Sequence, residues 1–309
     1  MTDTGSDLTE APPRSGELAR FRELQARVLE RFASPARSRM LRIADPPIDA
    51  HVLDAGTGEP VLLLHGGMGY AVNWEPVLDL LAAECRVVAP DRPSCGLSDL
   101  YDVSNVDVLD YAPAFVGSVL DALAWPSASL MGNSQGGFWS ILFALAHPER
   151  VRKLILIGAP AGIDPLPPHL APSRSGTPPP PAPPRSRRER IERTLVVNGS
   201  RVGDDLVAVN AAGDALSGAA EAGRTYIGSF IRNGEINPRY NLRPRLAEIS
   251  VPTLFIWGTE DRYAPPSSGH AAAATMPNAR VVEVPQAGHL AWWDQPETCA
   301  AATLEFLRR

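Results

Sequence analysis

What this chain has little of narrows its identity first. Only three of its 309 residues are cysteine. Cys85, Cys95 and Cys299 stand far apart, form no C-x-x-C pair and cannot all be paired, which excludes a disulfide framework and makes a reduced, cytoplasmic setting the expectation. No stretch is continuously apolar over the roughly 20 residues that a membrane-spanning helix needs, and Met1 to Arg14 lack the apolar centre of a secretory signal. Excess positive charge is missing as well. A formal net charge of -6 argues against a nucleic-acid binder driven by overall charge. The one basic cluster, Arg185, Arg187, Arg188 and Arg190, is interrupted by Glu189 and Glu192 and reads as a solvated helix start. Metal-ligand spacings, phosphate loops and dinucleotide fingerprints are absent, so neither a metal nor a cofactor is implied. The expectation is therefore a soluble chain with no nucleic-acid or membrane partner. Its length can bury a sizeable core, in one large α/β domain or two smaller ones.

What is present is organised around Leu130 to Gly137. Ser127 to Met131 form a short apolar run, Phe138 to His147 an Ala/Leu-rich helical run, and Gly132-Asn133-Ser134-Gln135-Gly136-Gly137 stands between them. A serine displayed on a sharp strand-to-helix turn is lifted out of the fold, and glycines two before and two after it leave room for strained backbone. As five letters, Gly-x-Ser-x-Gly is weak, since an ordinary loop can match it. The flanking strand and helix make it a nucleophile elbow.

The rest of the chain alternates. Residues 1–16 hold little to bury and read as a disordered tail. From Glu17, Leu18, Phe21, Leu24, Val28, Leu29 and Phe32 recur at helical spacing, marking an amphipathic helix within 17–36. It can pack on its own domain or meet a partner, and homo-oligomerisation is left open. Arg39 to Ala44 and Ile48 to Asp54, split by Asp45-Pro46-Pro47, read as an antiparallel edge pair. Val61 to Leu64, Arg86 to Ala89, Lys153 to Gly158, Thr253 to Trp257 and Arg280 to Val284 read as buried strands, with helices over Trp74 to Ala83, Asp107 to Leu123, Ser268 to Ala274 and Glu297 to Leu307. The fold class is α/β, a mostly parallel sheet flanked by helices. Proline dominates 165–184, and helical segments follow around Ile191 to Val197, Asp204 to Ala212 and Ala219 to Arg232. Residues 160–248 are accordingly an inserted helical cap, and 17–159 with 249–309 form the core. The loop His65-Gly66-Gly67-Met68-Gly69 leaves a buried strand. It reads as a tight turn or as a source of a main-chain N–H for an oxyanion. Loops 258–266 and 285–290 leave the same sheet edge as the elbow, where ligands bind in an open parallel sheet.

Five motifs in this order, His65-Gly66-Gly67, Asp91 to Ser98, the elbow, Gly258 to Asp261 and Ala287-Gly288-His289, resemble the α/β-hydrolase superfamily over 48–160 and 250–309. Within it the capped layout looks most like the carbon-carbon bond hydrolases of meta-cleavage products and like small-molecule esterases. Ser94, where the family commonly has glycine, and Gln135, where those hydrolases usually carry an apolar residue, depart from the pattern and bear on substrate.

A serine hydroxyl needs a base at neutral pH, and an imidazole can take its proton and return it. His289 is the candidate, alone of six histidines in a Gly-His loop between the last strand and helix. Asp261 fits as the acid that orients it, by loop position and chain order, and Asp164 is the competing position. The oxyanion donors expected are the N–H groups of Gln135 and Gly67, with Met68 as the alternative to Gly67. Met68, Trp74, Trp139 and Leu290 are candidate substrate contacts, and the aromatics Trp74, Trp139, Trp292, Trp293, Tyr226 and Phe230 either line an apolar acyl pocket or belong to the core. A serine hydrolase acting on a small, largely apolar ester or activated carbonyl is the reading that results. A carbon-carbon hydrolase, a cofactor-free haloperoxidase or perhydrolase, and a non-catalytic ligand-binding protein of the same fold are the alternatives.

Overall fold

The computed structural model describes residues 14–32, 36–67, 69–159, 184–232 and 235–309. The tail 1–13, Met68, Asp164 and all of the Pro-rich stretch but Pro184 lie outside the described residues.

Helix α1 (Arg14–Leu29) opens the described chain, three residues earlier than the hydrophobic periodicity indicates, so residues 14–16 belong to the helix and not to a tail. Its apolar spacing buries Phe21, Leu24 and Val28. Strands β1 (Arg37–Arg42) and β2 (Asp49–Ala55) pair antiparallel, and β2 pairs antiparallel with β4 (Cys85–Pro90). β3 (Glu59–Leu64) leads through a 3-10 turn, Ala71–Trp74, into α2 (Glu75–Ala82). α3 (Val108–Ala122) is capped by the Asp107 side chain, which accepts from the Leu109 N–H, and it carries Pro113 inside. Then come β5 (Ala128–Asn133), α4 (Gln135–Ala146) and β6 (Val151–Ile157).

The insertion holds α5 (Arg187–Arg190), a π-helical turn Ile191–Leu195, α6 (Asp204–Asp214), α7 (Ala219–Phe230) and a two-stranded hairpin of β7 (Ile231–Arg232) and β8 (Glu235–Ile236). The helix expected up to Arg232 thus ends at Phe230, where the chain turns into the hairpin. The sheet resumes with β9 (Thr253–Gly258), α8 (Pro266–Ala273), β10 (Ala279–Val284), α9 (Ala291–Asp294) and α10 (Pro296–Arg308).

The eight-stranded sheet runs β1-β2-β4-β3-β5-β6-β9-β10, parallel from β4 onward. Alternate side chains of the central strands feed two cores, because successive side chains of a strand point to opposite faces. Leu62, Leu64, Leu130, Leu154 and Leu156 pack with Phe115 of α3 and Phe143 of α4. Val61, Leu63, Met131, Ile155 and Ile157 pack on the other face with Phe21 of α1, Leu78 of α2 and Phe306 of α10. Burial on both faces explains why these strands read as unbroken apolar runs.

The insertion is tied to the body at α1 and at the turn that follows it. Glu17 accepts from the Ser217 N–H and hydroxyl, both at 2.7 Å, and Arg31 pairs with Asp205 of α6. Among the described residues no helix is long and apolar enough to cross a membrane.

Candidate active site

Ser134 sits between β5 and α4 with φ 49° and ψ -115°, a backbone conformation that a residue with a Cβ adopts only where its surroundings impose it. Here close packing does so. A Cβ at Gly132 would lie 2.5 Å from Gly136 O, and one at Gly136 would lie 2.0 Å from Leu64 O, so the turn closes only with glycine at both places. Asn133 adds a tie, its Nδ2 donating to Ile157 O at 3.0 Å and lying 3.4 Å from His289 O.

Asp261 follows β9 and His289 follows β10, two strands that pair in parallel register through Trp257↔Glu283 and Gly258↔Val284. Their loops therefore leave the sheet side by side. His289 Nδ1 lies 2.9 Å from Asp261 Oδ2, with both side chains almost wholly buried. The other carboxylate oxygen accepts from the Tyr263 N–H at 2.7 Å, and the Tyr263 ring stacks on the imidazole with centroids 4.3 Å apart. A proton on Nδ1 that is given to the carboxylate leaves Nε2 as the acceptor. Gly158, at φ +51°, lies against this pair. A Cβ there would be 3.1 Å from both Asp261 Oδ2 and His289 Nδ1.

The loop after β3 abuts the elbow: a Cβ at Gly66 would be 3.4 Å from the Ser134 Cβ, and one at Gly67 would be 3.2 Å from Gln135 Oε1. His65 is buried and accepts from the Arg92 N–H at Nε2 (3.0 Å) while Nδ1 donates to Gly66 O (2.9 Å). Burial, helped by the Arg92 charge, pushes its pKa down to about 3, so it is a neutral strut of this loop.

Gly67 and Gln135 also face a cavity of about 220 Å³ between the body and the insertion, shared with Arg92, Tyr111, Trp139 and Tyr226. Trp139 Nε1 donates to the Tyr226 hydroxyl across it at 2.5 Å. Of the residues singled out as substrate contacts, Trp139 lies on this wall. Trp74 is instead fully buried and stacked on Trp292 at 4.5 Å, because the second core takes its ring, and Leu290 is held in the same core, its N–H donating to Leu195 O at 2.9 Å. Trp292 and Trp293 both donate their ring N–H to Asn73 O. Phe230 packs against Phe138 and Tyr240.

Two features of the site escaped the sequence. Arg92 faces the cavity, although it lay inside a motif already singled out. Asp294, buried, accepts from the N–H groups of Val197, Asn198 and Gly288 at 2.8 to 3.1 Å and so links the insertion to the histidine loop. No spacing signal marks it, since its partners are main-chain atoms distant in sequence. Among the described residues no group of three or more His, Cys, Asp or Glu is placed to hold a metal ion.

Comparison with known proteins identifies the family of this fold. The family described as the alpha/beta hydrolase fold matches residues 59–296. The chain is 31% identical over 277 residues, 83% of its length and 90% of the other's, to 2-hydroxy-6-oxo-6-phenylhexa-2,4-dienoate hydrolase of Burkholderia cepacia. It is 32% identical over 288 residues, 89% and 96% of the two lengths, to 2-hydroxy-6-oxononadienedioate/2-hydroxy-6-oxononatrienedioate hydrolase of Paraburkholderia xenovorans (strain LB400). Among solved structures, the fold is shared with a meta-cleavage product hydrolase from Pseudomonas fluorescens IP01, at a TM-score of 0.73 and 23% identity over 87% of this chain and 97% of that one. It is shared equally with naproxen esterase from Bacillus subtilis, at a TM-score of 0.74 and 18% identity over 96% and 99%.

Proposed function

The chain belongs to the α/β-hydrolase superfamily, and from that premise we propose that it is a serine hydrolase whose nucleophile, base and acid are Ser134, His289 and Asp261, acting on a small, largely apolar ester or activated ketone. The observation that carries this reading is the buried His289–Asp261 contact of 2.9 Å, on loops beside a serine held in strained backbone. Ser134 Oγ attacks the substrate carbonyl and passes its proton to His289 Nε2. Asp261 holds the tautomer that can accept it and stabilises the imidazolium that forms. The oxyanion is received by the N–H groups of Gly67 and Gln135, each such donor being worth about 2.7 to 4 kcal/mol in mutational series. His289 then returns the proton to the leaving group, an oxygen for an ester or a carbon for a ketone. Water repeats the sequence to release the acyl enzyme.

The ketone branch has a specific observation in its favour. The two relatives that share about a third of their residues with this chain are named for hydrolysis of oxo-dienoates, in which a conjugated chain can accept the electron pair of the broken carbon-carbon bond. The expected outcome is that a vinylogous keto acid turns over faster than a short-chain aryl ester in the same assay, and that long-chain triglyceride emulsions are left intact. A serine-directed phosphonate should label the wild-type protein at Ser134 and should not label Ser134→Ala. Labelling of another serine in place of Ser134, or folded protein that turns over neither substrate class, would defeat the assignment.

A further inference from the structure

Among the described residues, no carboxylate pairs with the cation on the wall of the cavity beside the oxyanion loop. Arg92, 5% exposed, lies on its wall, and the guanidinium is placed by two contacts. Nη2 donates to Gly66 O at 2.8 Å, and Cζ sits 4.9 Å over the Trp139 ring. Nε lies 3.5 Å from His65 Nδ1, but that nitrogen carries the proton given to Gly66 O, so this contact is not a hydrogen bond. One of the five N–H groups therefore has an acceptor among the described residues.

The nearby carboxylates are committed elsewhere. Asp91, the chain neighbour, accepts from His51 Nδ1 at 2.8 Å and from the N–H groups of Ala71 and Leu97. Asp214, on the cavity wall, is taken by the Tyr70 hydroxyl at 2.9 Å and by Arg187. Buried charges are ordinarily paired, because an uncompensated one costs several kcal/mol of desolvation. A second cation, Arg224 of α7, also lines the cavity. A second polar group is short of a partner there too: the Tyr111 hydroxyl, buried, has none among the described residues. The rest of the lining is mostly aromatic or small, with Ser94, Cys95 and Gln135 as its uncharged polar members.

We propose that Arg92 anchors a carboxylate carried by the substrate, so that this cavity selects anionic over neutral ligands. This rests on the hydrolase reading and deepens it. Gly66, whose carbonyl takes the guanidinium, precedes the Gly67 N–H assigned to the oxyanion, so the carboxylate is held close to the carbonyl that Ser134 attacks. The free guanidinium edge offers the paired donors that a carboxylate accepts, which a lysine cannot reproduce. The role falls to a core loop residue, so it is available before any insertion residue is engaged.

Binding decides this without turnover. Ser134→Ala protein is titrated calorimetrically with 6-oxo-6-phenylhexanoate and with its methyl ester, a pair that differs in the charge. The acid should bind at least about tenfold more tightly, as expected for a hydrogen bond to a charged group. In Ser134→Ala/Arg92→Met that ratio should fall close to one, and in Ser134→Ala/Arg92→Lys it should lie between. Equal affinities in Ser134→Ala overturn the proposal whether or not the arginine variants fold, and so does a preference that survives Arg92→Met. Either failure leaves the serine hydrolase standing. Tight binding of the acid with no turnover of any ester or keto acid by the wild type would instead sink the hydrolase reading and keep the anchor.

Discussion

A methyl group at position 158 would stand 3.1 Å from the carboxylate oxygen and the ring nitrogen whose contact defines the candidate acid–base pair. That separation is tighter than ordinary carbon packing allows, and the φ of +51° adds strain for any residue with a Cβ. Gly158→Ala should therefore push Asp261 and His289 apart while the hydrophobic cores, which it does not enter, hold the fold. A misplacement of about 1 Å at a reacting centre costs on the order of a hundredfold, so the few tenths of an ångström required here should cost about tenfold. The expectation is a fall of that order in kcat with unchanged circular dichroism; activity within about twofold of wild type would show that the pair tolerates displacement. Asp261→Asn tests the same contact by chemistry. An amide in place of the carboxylate no longer fixes Nδ1–H, and in a serine hydrolase the change costs about 10⁴ in kcat. A loss of less than tenfold would move the acid role to another residue.

At the scale of elements, the histidine loop is held from both sides. Gly288 donates to Asp294 Oδ2 at 2.8 Å, and Leu290 donates to Leu195 O of the π-helical turn at 2.9 Å. The same Asp294 carboxylate receives the Val197 and Asn198 N–H groups, so the imidazole is positioned by the insertion as well as by the sheet. Asp294→Asn replaces an acceptor-only group with one that turns two N–H donors toward N–H partners. The His289 loop should loosen, giving about tenfold lower kcat, with KM for a small ester changed less. A change confined to thermal stability would reduce Asp294 to a purely structural link. This link shows where the sequence stops being legible. The strands and most helices follow from local runs of apolar residues and land within a few residues of their places, and glycine spacing marks the tight turn at Ser134. Asp294 and Arg92 do not follow in this way, because their roles lie in contacts to main-chain atoms or to a cavity that forms only when the insertion closes over the sheet. Trp74 illustrates the converse. Aromatic character leaves it open between pocket and core, and only the fold shows its ring enclosed by Trp292 and the second core.

Over the whole molecule, the loops at the carboxyl edge of the sheet are held by buried titratable groups, and this couples the site to global stability. His65 has its pKa pushed from the ordinary 6.5 down to about 3 by burial and by the Arg92 charge. Between those values the unfolded chain binds a proton that the folded chain refuses, so stability rises with pH across the window and is lost as the solution is acidified. The slope from one such group is roughly 1.4 kcal/mol per pH unit at full effect. Asp91 is buried too, which alone would raise its pKa, but the bonds from His51 and from the Ala71 N–H outweigh burial and lower it. Its contribution has the same sign and enters below the ordinary 3.8 of an aspartate, beneath most of the histidine window. Urea midpoints measured from pH 7 to pH 4.5 should therefore fall steadily in the wild type, and the pH slope should shrink by close to one proton in His65→Gln. That variant has its own lower stability, but the slope is a difference across pH and is unaffected by a constant offset. An undiminished slope would mean that His65 takes up a proton in the folded state.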